Sequence, residues 1–530
     1  MTEDNPRDAA PATAARLGAW LGAAAIVLSV LVMVVIAASG PNVSVPVVHG
    51  ALSASWLHLS GGSTVVLLWI AMGLGCAGVL AGLAAVGKGA RLPVHLLLGF
   101  AFLAVVVLTV LPPAGSTDSL SYAASGRIAV LGHSPYVMTP FQLEHSGDPI
   151  GHQITAIPAI WNNTPSVYGP VATAAEWVAA KLGGTSLGHI ALWLKLFEAV
   201  CFMVVALVLD RVIRRSGNDP ALRLRAHLLW TANPLLLWEI VASGHIDGLA
   251  AMFGLLAILA LKRNTSAPAS AAGAPAAVNA FAAGLLVALA AGVKVEYALF
   301  GLAVAWACRR SVPALAGAAA GFAVVTIPAY ALAGSPAVKV LFNRGGGITS
   351  DTMYQLFWRP VLGWEKGFSA NSVPPHLVLV SYLLFAVVAI LAFFRLPDRT
   401  PEFPALTPAL ALSLAWLFIT PFQRPWYDVM VISLLAVPCY LGAGAALLDW
   451  VVMIRLLAGA SVYAIAVANP VLPSWLHTLY FTVDGEWLTP AIFALAAIAL
   501  VWMCVRRYPQ SGPVDNTQRD TAGSKLPLAM

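Results

Sequence analysis

The stretch VHLLLGFAFLAVVVLTVLPPAGSTDSLSY, residues 94–122, decides the class of fold. Residues 94–112 are an apolar run of nearly membrane-crossing length. The polar Ser116-Thr117-Asp118-Ser119 follows directly after Pro112-Pro113, so the chain leaves the hydrocarbon there. A helix needs about 20 consecutive apolar residues to cross that core. Further apolar runs, several of them shorter and notably 248–261 and 297–308, lie at 17–39, 64–87, 189–210, 226–243, 248–261, 279–293, 297–308, 313–332, 375–394, 405–420, 429–447, 456–469 and 490–505. The reading is an all-α polytopic membrane protein, a bundle of about fourteen crossings.

Composition agrees. Charged residues make up 10% of the 530-residue chain, hydrophobic residues 59%, and the mean hydropathy is +0.83. A soluble domain carries about a quarter charged residues, so soluble, collagen-like and disordered classes are excluded. The five cysteines (Cys76, Cys201, Cys308, Cys439 and Cys504) sit singly in apolar runs without metal or disulfide spacing and read as packing residues. The net charge of +6 is expected to come from basic cytoplasmic connections, and no nucleic-acid partner is implied.

Lys88/Arg91, Arg211/Arg214/Arg215, Lys262/Arg263, Arg309/Arg310, Arg395/Arg399 and Arg506/Arg507 border run ends on one side. That places both termini in the cytoplasm of a multi-pass plasma-membrane protein. Residues 1–16 and 508–530 read as polar cytoplasmic tails around a membrane domain of 17–507, and 262–278 as a low-complexity cytoplasmic connection. Three exterior connections, 113–188, 333–374 and 470–489, are too long for turns. The cations that depart from the bias (Arg127, Lys181, Lys195, Lys294, Lys339, Arg344, Arg359, Lys366 and Arg424) mark where function is to be sought.

In the first loop Leu120, Ala124, Ile128 and Leu131 recur at helical spacing, which predicts an amphipathic interfacial helix over 119–131. Asp118 opens it, either as a helix cap or as a general base taking a proton from a sugar hydroxyl. Glu239 lies inside an apolar run and needs a partner or a wet cavity. In Gly244-His245-Ile246-Asp247-Gly248, His245 and Asp247 either bond sugar hydroxyls or cap the next helix. Lys294-Val295-Glu296-Tyr297 predicts a hairpin turning at Lys294. Lys294 there holds a phosphate oriented by Glu296, or the two neutralise each other. Arg344 lies beside a triple glycine, and Arg424 precedes Pro425-Trp426-Tyr427. An arginine fork suits a phosphate diester, and Trp426 and Tyr427 suit a sugar face or an interfacial aromatic belt. Tyr122 and Tyr168 are further candidate sugar contacts. No cluster has metal spacing, so a metal-free reaction without a cofactor is expected.

The Asp-Ser-Leu-Ser-Tyr segment, Gly132-His133-Ser134-Pro135-Tyr136, Tyr168-Gly169-Pro170, Gly-His-Ile-Asp at 244–247, the Lys294 hairpin and Pro425-Trp426-Tyr427 occur in an order that resembles the GT-C superfamily of polyprenyl-phosphate-sugar-dependent glycosyltransferases. Within it the chain is most similar to the actinobacterial α-(1→6)-mannopyranosyltransferases of lipomannan synthesis. The resemblance implies a GT-C-like bundle, a polyprenyl-phosphate mannose donor, a lipid-linked mannan acceptor and inverting displacement at the exterior face. It maps the catalytic carboxylate onto Asp118, and Lys294, Arg344 or Arg424 onto the leaving phosphate. The sequence departs from the pattern of the oligosaccharyltransferase branch, with its soluble C-terminal domain and extra exterior acids, so a lipid-linked glycan acceptor is expected rather than a protein. The alternatives are a related transferase for another lipid-linked sugar such as arabinofuranose, or a lipid-linked-sugar flippase or transporter. The gathering of charge at one face argues against alternating access.

Overall fold

The computed structural model describes residues 6–48, 52, 56–262, 274–343, 352–357, 375–396, 402–437, 443–467 and 470–506. Among them there is no strand beyond one isolated bridge, Asn42 to Val45. Seven helices are long and apolar enough to cross a membrane: Thr13–Ala38, Gly61–Gly87, Leu187–Arg215, Ala276–Val293, Val312–Leu341, Gly444–Val462 and Ser474–Val505. Pro220–Ala242 and Asp247–Ala260 form a further unit bent by 118°, and five shorter apolar helices complete the set. Local chemistry sets the boundaries. The Ser60 hydroxyl accepts the Ser63 N–H at the start of the second helix. Asp219 caps the Ala221 N–H ahead of Pro220, which stands at the first helical position.

Several expectations from hydropathy are corrected. The first helix begins at Pro6, inside the expected tail. The runs 226–243 and 248–261 are the two arms of the bent unit. The expected connection before 456 is the middle of the helix Ala443–Val462, which carries Asp449 and Arg455. Both charges are buried and paired: Arg225 grips Asp449 in a fork (2.6 and 2.7 Å), and Arg455 binds Asp428. Hydropathy registers such charges as breaks because it cannot see their partners. Residues 474–488, placed in an exterior loop, are helical and continue to Val505. Asp484 is absorbed there by the hydroxyls of Ser461 and Thr489, each at 2.9 Å. Helix also extends to Asn343, with a break at Gly334. Cys439, the 508–530 tail and most of 344–374, including Arg344, Arg359 and Lys366, lie outside the described residues.

The helix Asp118–Val130 forms as expected but does not lie on the surface. Ser119, Leu120, Tyr122, Ala123, Ala124, Ser125, Gly126 and Ile128 are all buried, on more than one face, against Pro170–Gly183 and Leu187–Arg215. Small side chains permit this. A Cβ at Gly126 would stand 2.2 Å from the Glu176 carbonyl oxygen, so the two helices approach at backbone distance.

The entry to this helix is also fixed. Lys195 donates to the carbonyls of Leu108 (2.6 Å), Leu111 (2.7 Å) and Pro112 (3.3 Å), capping the helix Val94–Val110 with a buried ammonium. Ala114 N–H then bonds the Ala242 carbonyl, Gly115 N–H the Ser44 carbonyl, and the Ser243 hydroxyl the Ala114 carbonyl. The segment that delivers Asp118 is thereby tied to three separate elements.

Candidate active site

Asp118 is the first residue of its helix, and its N–H donates to the Ser116 hydroxyl at 3.1 Å. Its side chain retains 20% exposure, and Oδ2 lies 3.7 Å from Nε2 of His245. Burial raises the carboxyl above its ordinary range, while the charges of Arg424 and Lys294 and the hydroxyls of Ser116 and Tyr122 pull it back. The result is a more basic carboxylate at a partly open position, set at a helix N-terminus that favours negative charge.

His245 occupies the break between the two arms of the bent unit, just after Gly244 at φ +71°. Its Nδ1 is 2.6 Å from the Glu239 carbonyl oxygen. A carbonyl can only accept, so Nδ1 carries the proton. The ring stacks on Trp426, centroids 3.8 Å apart and planes 21° apart, and the Glu239 carboxylate lies 3.8 Å from Nδ1. Glu239 itself is 3% exposed, on the wide helical segment Leu237–Ala242.

Lys294 sits between Ala274–Val293 and the turn Val295–Ala298, the hairpin read from its sequence. Its ammonium donates to Asp247 Oδ1 at 2.8 Å, stands 3.9 Å from Glu296 Oε1, and lies over the rings of Tyr427 (4.2 Å) and Tyr168 (5.7 Å). The charge is thus met by Asp247 first and Glu296 second. Tyr168 is delivered by a close backbone crossing: Gly169 N–H donates to the Val293 carbonyl, and a Cβ at Gly169 would stand 2.2 Å from the Gly292 carbonyl oxygen. The hydroxyls of Tyr168 and Tyr122 are 3.1 Å apart. Burial, reinforced by Asp118, holds both phenols well above their ordinary range, so they stay protonated donors.

Arg424 is half-buried over the rings of Tyr463 (4.5 Å) and Phe422 (4.9 Å) and forms no ion pair with a described carboxylate. Arg455 secures the turn that presents it, binding Asp428 on one side and Gln423 Oε1 at 3.1 Å on the other.

Asp118, Tyr122, Tyr168, Glu239, His245, Asp247, Lys294, Glu296, Arg424, Trp426 and Tyr427 therefore form one connected cluster. Arg344 lies outside the described residues. Reading the sequence missed Tyr463 and the supports Arg455 and Glu198. Glu198 accepts the Leu249 N–H at 3.0 Å; a carboxylate inside the run 189–210 was the available signal for it. Among the described residues no group of three or more His, Cys, Asp or Glu side chains is arranged to hold a metal ion.

Comparison with known proteins bears on this cluster. The chain is 31% identical over 152 residues to a probable alpha-(1→6)-mannopyranosyltransferase of Mycolicibacterium smegmatis, a match covering 28% of this chain and 26% of that protein. It is 30% identical over 150 residues to an alpha-(1→6)-mannopyranosyltransferase of Mycobacterium tuberculosis, covering 28% and 24%. The chain thus spans about a quarter of the length of these two relatives. Alpha-(1→6)-mannopyranosyltransferase B of Corynebacterium glutamicum is 21% identical over 428 residues, 78% of this chain and 68% of that protein. No solved structure matches. Residues 19–310, more than half of the chain and including every cluster residue up to Glu296, match the N-terminal domain of the alpha-(1→6)-mannopyranosyltransferases, and the chain belongs to that family of glycosyltransferases.

Proposed function

We propose that this protein transfers mannose from polyprenyl-phosphate mannose to a lipid-linked mannan, forming an α-(1→6) bond with inversion at the exterior face of the plasma membrane. The observation that carries the reading is one cluster in which a partly open carboxylate, Asp118, is joined through His245 and Trp426 to the turn that carries Arg424, while Lys294 lies over the ring of Tyr168. An inverting transfer needs both functions at one place. A base takes the acceptor proton as its oxygen attacks the anomeric carbon, and cations stabilise the phosphate that departs. Asp118 is the base. Arg424 is the better phosphate ligand, because Lys294 already spends its charge on Asp247. The phenols of Tyr122 and Tyr168, with Trp426, supply donors and an aromatic face for the sugars, and Glu239 and Glu296 stand beside His245 and Lys294. The prenyl tail lies among the apolar helices, in a GT-C-like arrangement, and the reaction needs no cofactor beyond the lipid-linked donor. Exterior placement is supported by Lys88, Arg215, Lys262, Arg309 and Arg506, which lie at helix ends leading away from the Asp118 segment.

The test is transfer of labelled mannose from polyprenyl-phosphate mannose to a short α-(1→6)-mannoside by detergent-purified protein, with Asp118→Asn alongside. Transfer by the wild type and its loss by about 10²-fold or more in the variant is the expected result. Transfer of arabinofuranose instead of mannose overturns the sugar, and equal transfer by both proteins overturns the role of Asp118.

A further inference from the structure

His245 presents a bare, buried nitrogen to Asp118. Its Nδ1 proton is committed to the Glu239 carbonyl at 2.6 Å, so in the neutral ring Nε2 is an acceptor. Nε2 is fully buried and has no hydrogen-bond partner among the described residues, although buried polar atoms are nearly always satisfied. The nearest acidic atom is Asp118 Oδ2, at 3.7 Å. Two acceptors facing one another cannot bond. They close on each other once a single proton is added to the pair, and catalytic contacts commonly tighten only when substrate is bound. The ring cannot turn away, because the Trp426 indole stacks on it and Glu239 holds its other edge.

We propose that His245 is the proton partner of Asp118 during glycosyl transfer; this rests on the transferase reading of Asp118. The acceptor O–H bond breaks and its proton passes to Asp118 Oδ2. The acceptor oxygen bonds the anomeric carbon, and the bond from that carbon to phosphate breaks with its electron pair leaving on the polyprenyl phosphate. The new carboxylic O–H then donates to His245 Nε2, which holds the proton within the pair until product leaves. His245 thereby acts through Asp118 and makes proton removal more complete than an isolated carboxylate does.

The experiment follows the carboxyl of Asp118 directly, by infrared titration of the detergent-purified chain, its band identified by loss in Asp118→Asn. The other ionisable groups facing the pair are Tyr122, Tyr168, Glu239, Asp247, Lys294 and Arg424, and all are kept. In His245→Asn the amide N–H replaces Nδ1–H toward the Glu239 carbonyl while nothing replaces Nε2. With its acceptor gone, the protonated form of Asp118 is less stable. The midpoint is expected to fall by about one pH unit, and kcat for transfer by about 10²-fold with little change in donor KM. His245→Gln sets an amide donor opposite Asp118 and lowers the midpoint further. A wild-type midpoint in either folded variant overturns the proposal, whatever the transfer activity, and leaves His245 as a support for Glu239. A shifted midpoint without transfer by the wild type keeps the pair and removes the transferase reading.

Discussion

Lys294 Nζ lies 2.8 Å from Asp247 Oδ1 with both side chains almost fully buried, so the strongest-looking cation of the site is already neutralised. Breaking such a pair by removing one partner leaves an uncompensated buried charge, a loss of about 3–5 kcal/mol, whereas replacing both partners with apolar side chains is often neutral. Lys294→Met and Asp247→Leu are each expected to lower the thermal midpoint of the purified protein, and Lys294→Met/Asp247→Leu to recover most of it. Additive losses in the double variant would show that the pair is not the coupled unit described.

Arg424 has no such carboxylate among the described residues, and its charge acts on Asp118. Two effects follow from Arg424→Gln. Donor KM rises because the phosphate loses its fork. The acid limb of the transfer profile also moves to higher pH: burial raises the Asp118 carboxyl, Arg424 opposes that rise, and removing it raises the carboxyl further while the base must be ionised to work. Kinetics of both proteins across the acid range check this. A limb that stays in place, or moves to lower pH, contradicts an action of Arg424 on Asp118.

Glu176 gives a stability prediction independent of activity. It is fully buried against the Asp118 helix, neither carboxylate oxygen has a hydrogen-bond partner among the described residues, and burial pushes it up to about 8. The folded form holds the proton that the unfolded chain releases near the ordinary value of 4.5. Stability is therefore unaffected below about pH 4.5 and falls as pH rises toward 8, by about 1.4 kcal/mol per pH unit. Glu176→Gln has nothing to ionise. Chemical denaturation at about pH 5 and pH 8 is expected to show a smaller decline for the variant than for the wild type. Equal declines would mean that Glu176 is not held protonated.

That several candidate residues would stand out was legible because charges are rare in membrane sequences. Glu239 is a charge inside an apolar run, Asp247 and Lys294 interrupt apolar sequence between two runs, and Tyr168-Gly169-Pro170 carries a glycine where two backbones cross. Which charge meets which was not readable, since the Lys294 partner is Asp247 across 47 positions rather than Glu296 two residues on. The same blindness to partners misplaced Arg455 and Asp449 in a connection and Asp484 in a loop. The Asp118 helix showed a correct period but was assigned to the surface. Period reveals one apolar face, and only the packing of Ala123, Ala124 and Gly126 reveals that the opposite face is covered too.

Arg455 is a buried charge far in sequence from Asp118 that holds the turn carrying Arg424, Trp426 and Tyr427. Its guanidinium holds Asp428 at one end of the turn and Gln423 at the other, and between them lie Arg424, Trp426 and Tyr427. Gln423 is held in turn through its amide, which donates to the carbonyls of Trp416 (3.0 Å) and Thr420 (3.1 Å). If this network serves stability alone, Arg455→Met/Asp428→Leu, which removes both charges, restores a protein destabilised by Arg455→Met and restores transfer with it. If it holds the turn in register, the double variant recovers its thermal midpoint but not its rate, because Trp426 no longer fixes His245 and Arg424 no longer opposes the Asp118 proton. The second outcome is expected: near-native unfolding, kcat lower by about 10²-fold, and an acid limb displaced upward as in Arg424→Gln. Near-native kcat in the double variant would reduce Arg455 to a packing element.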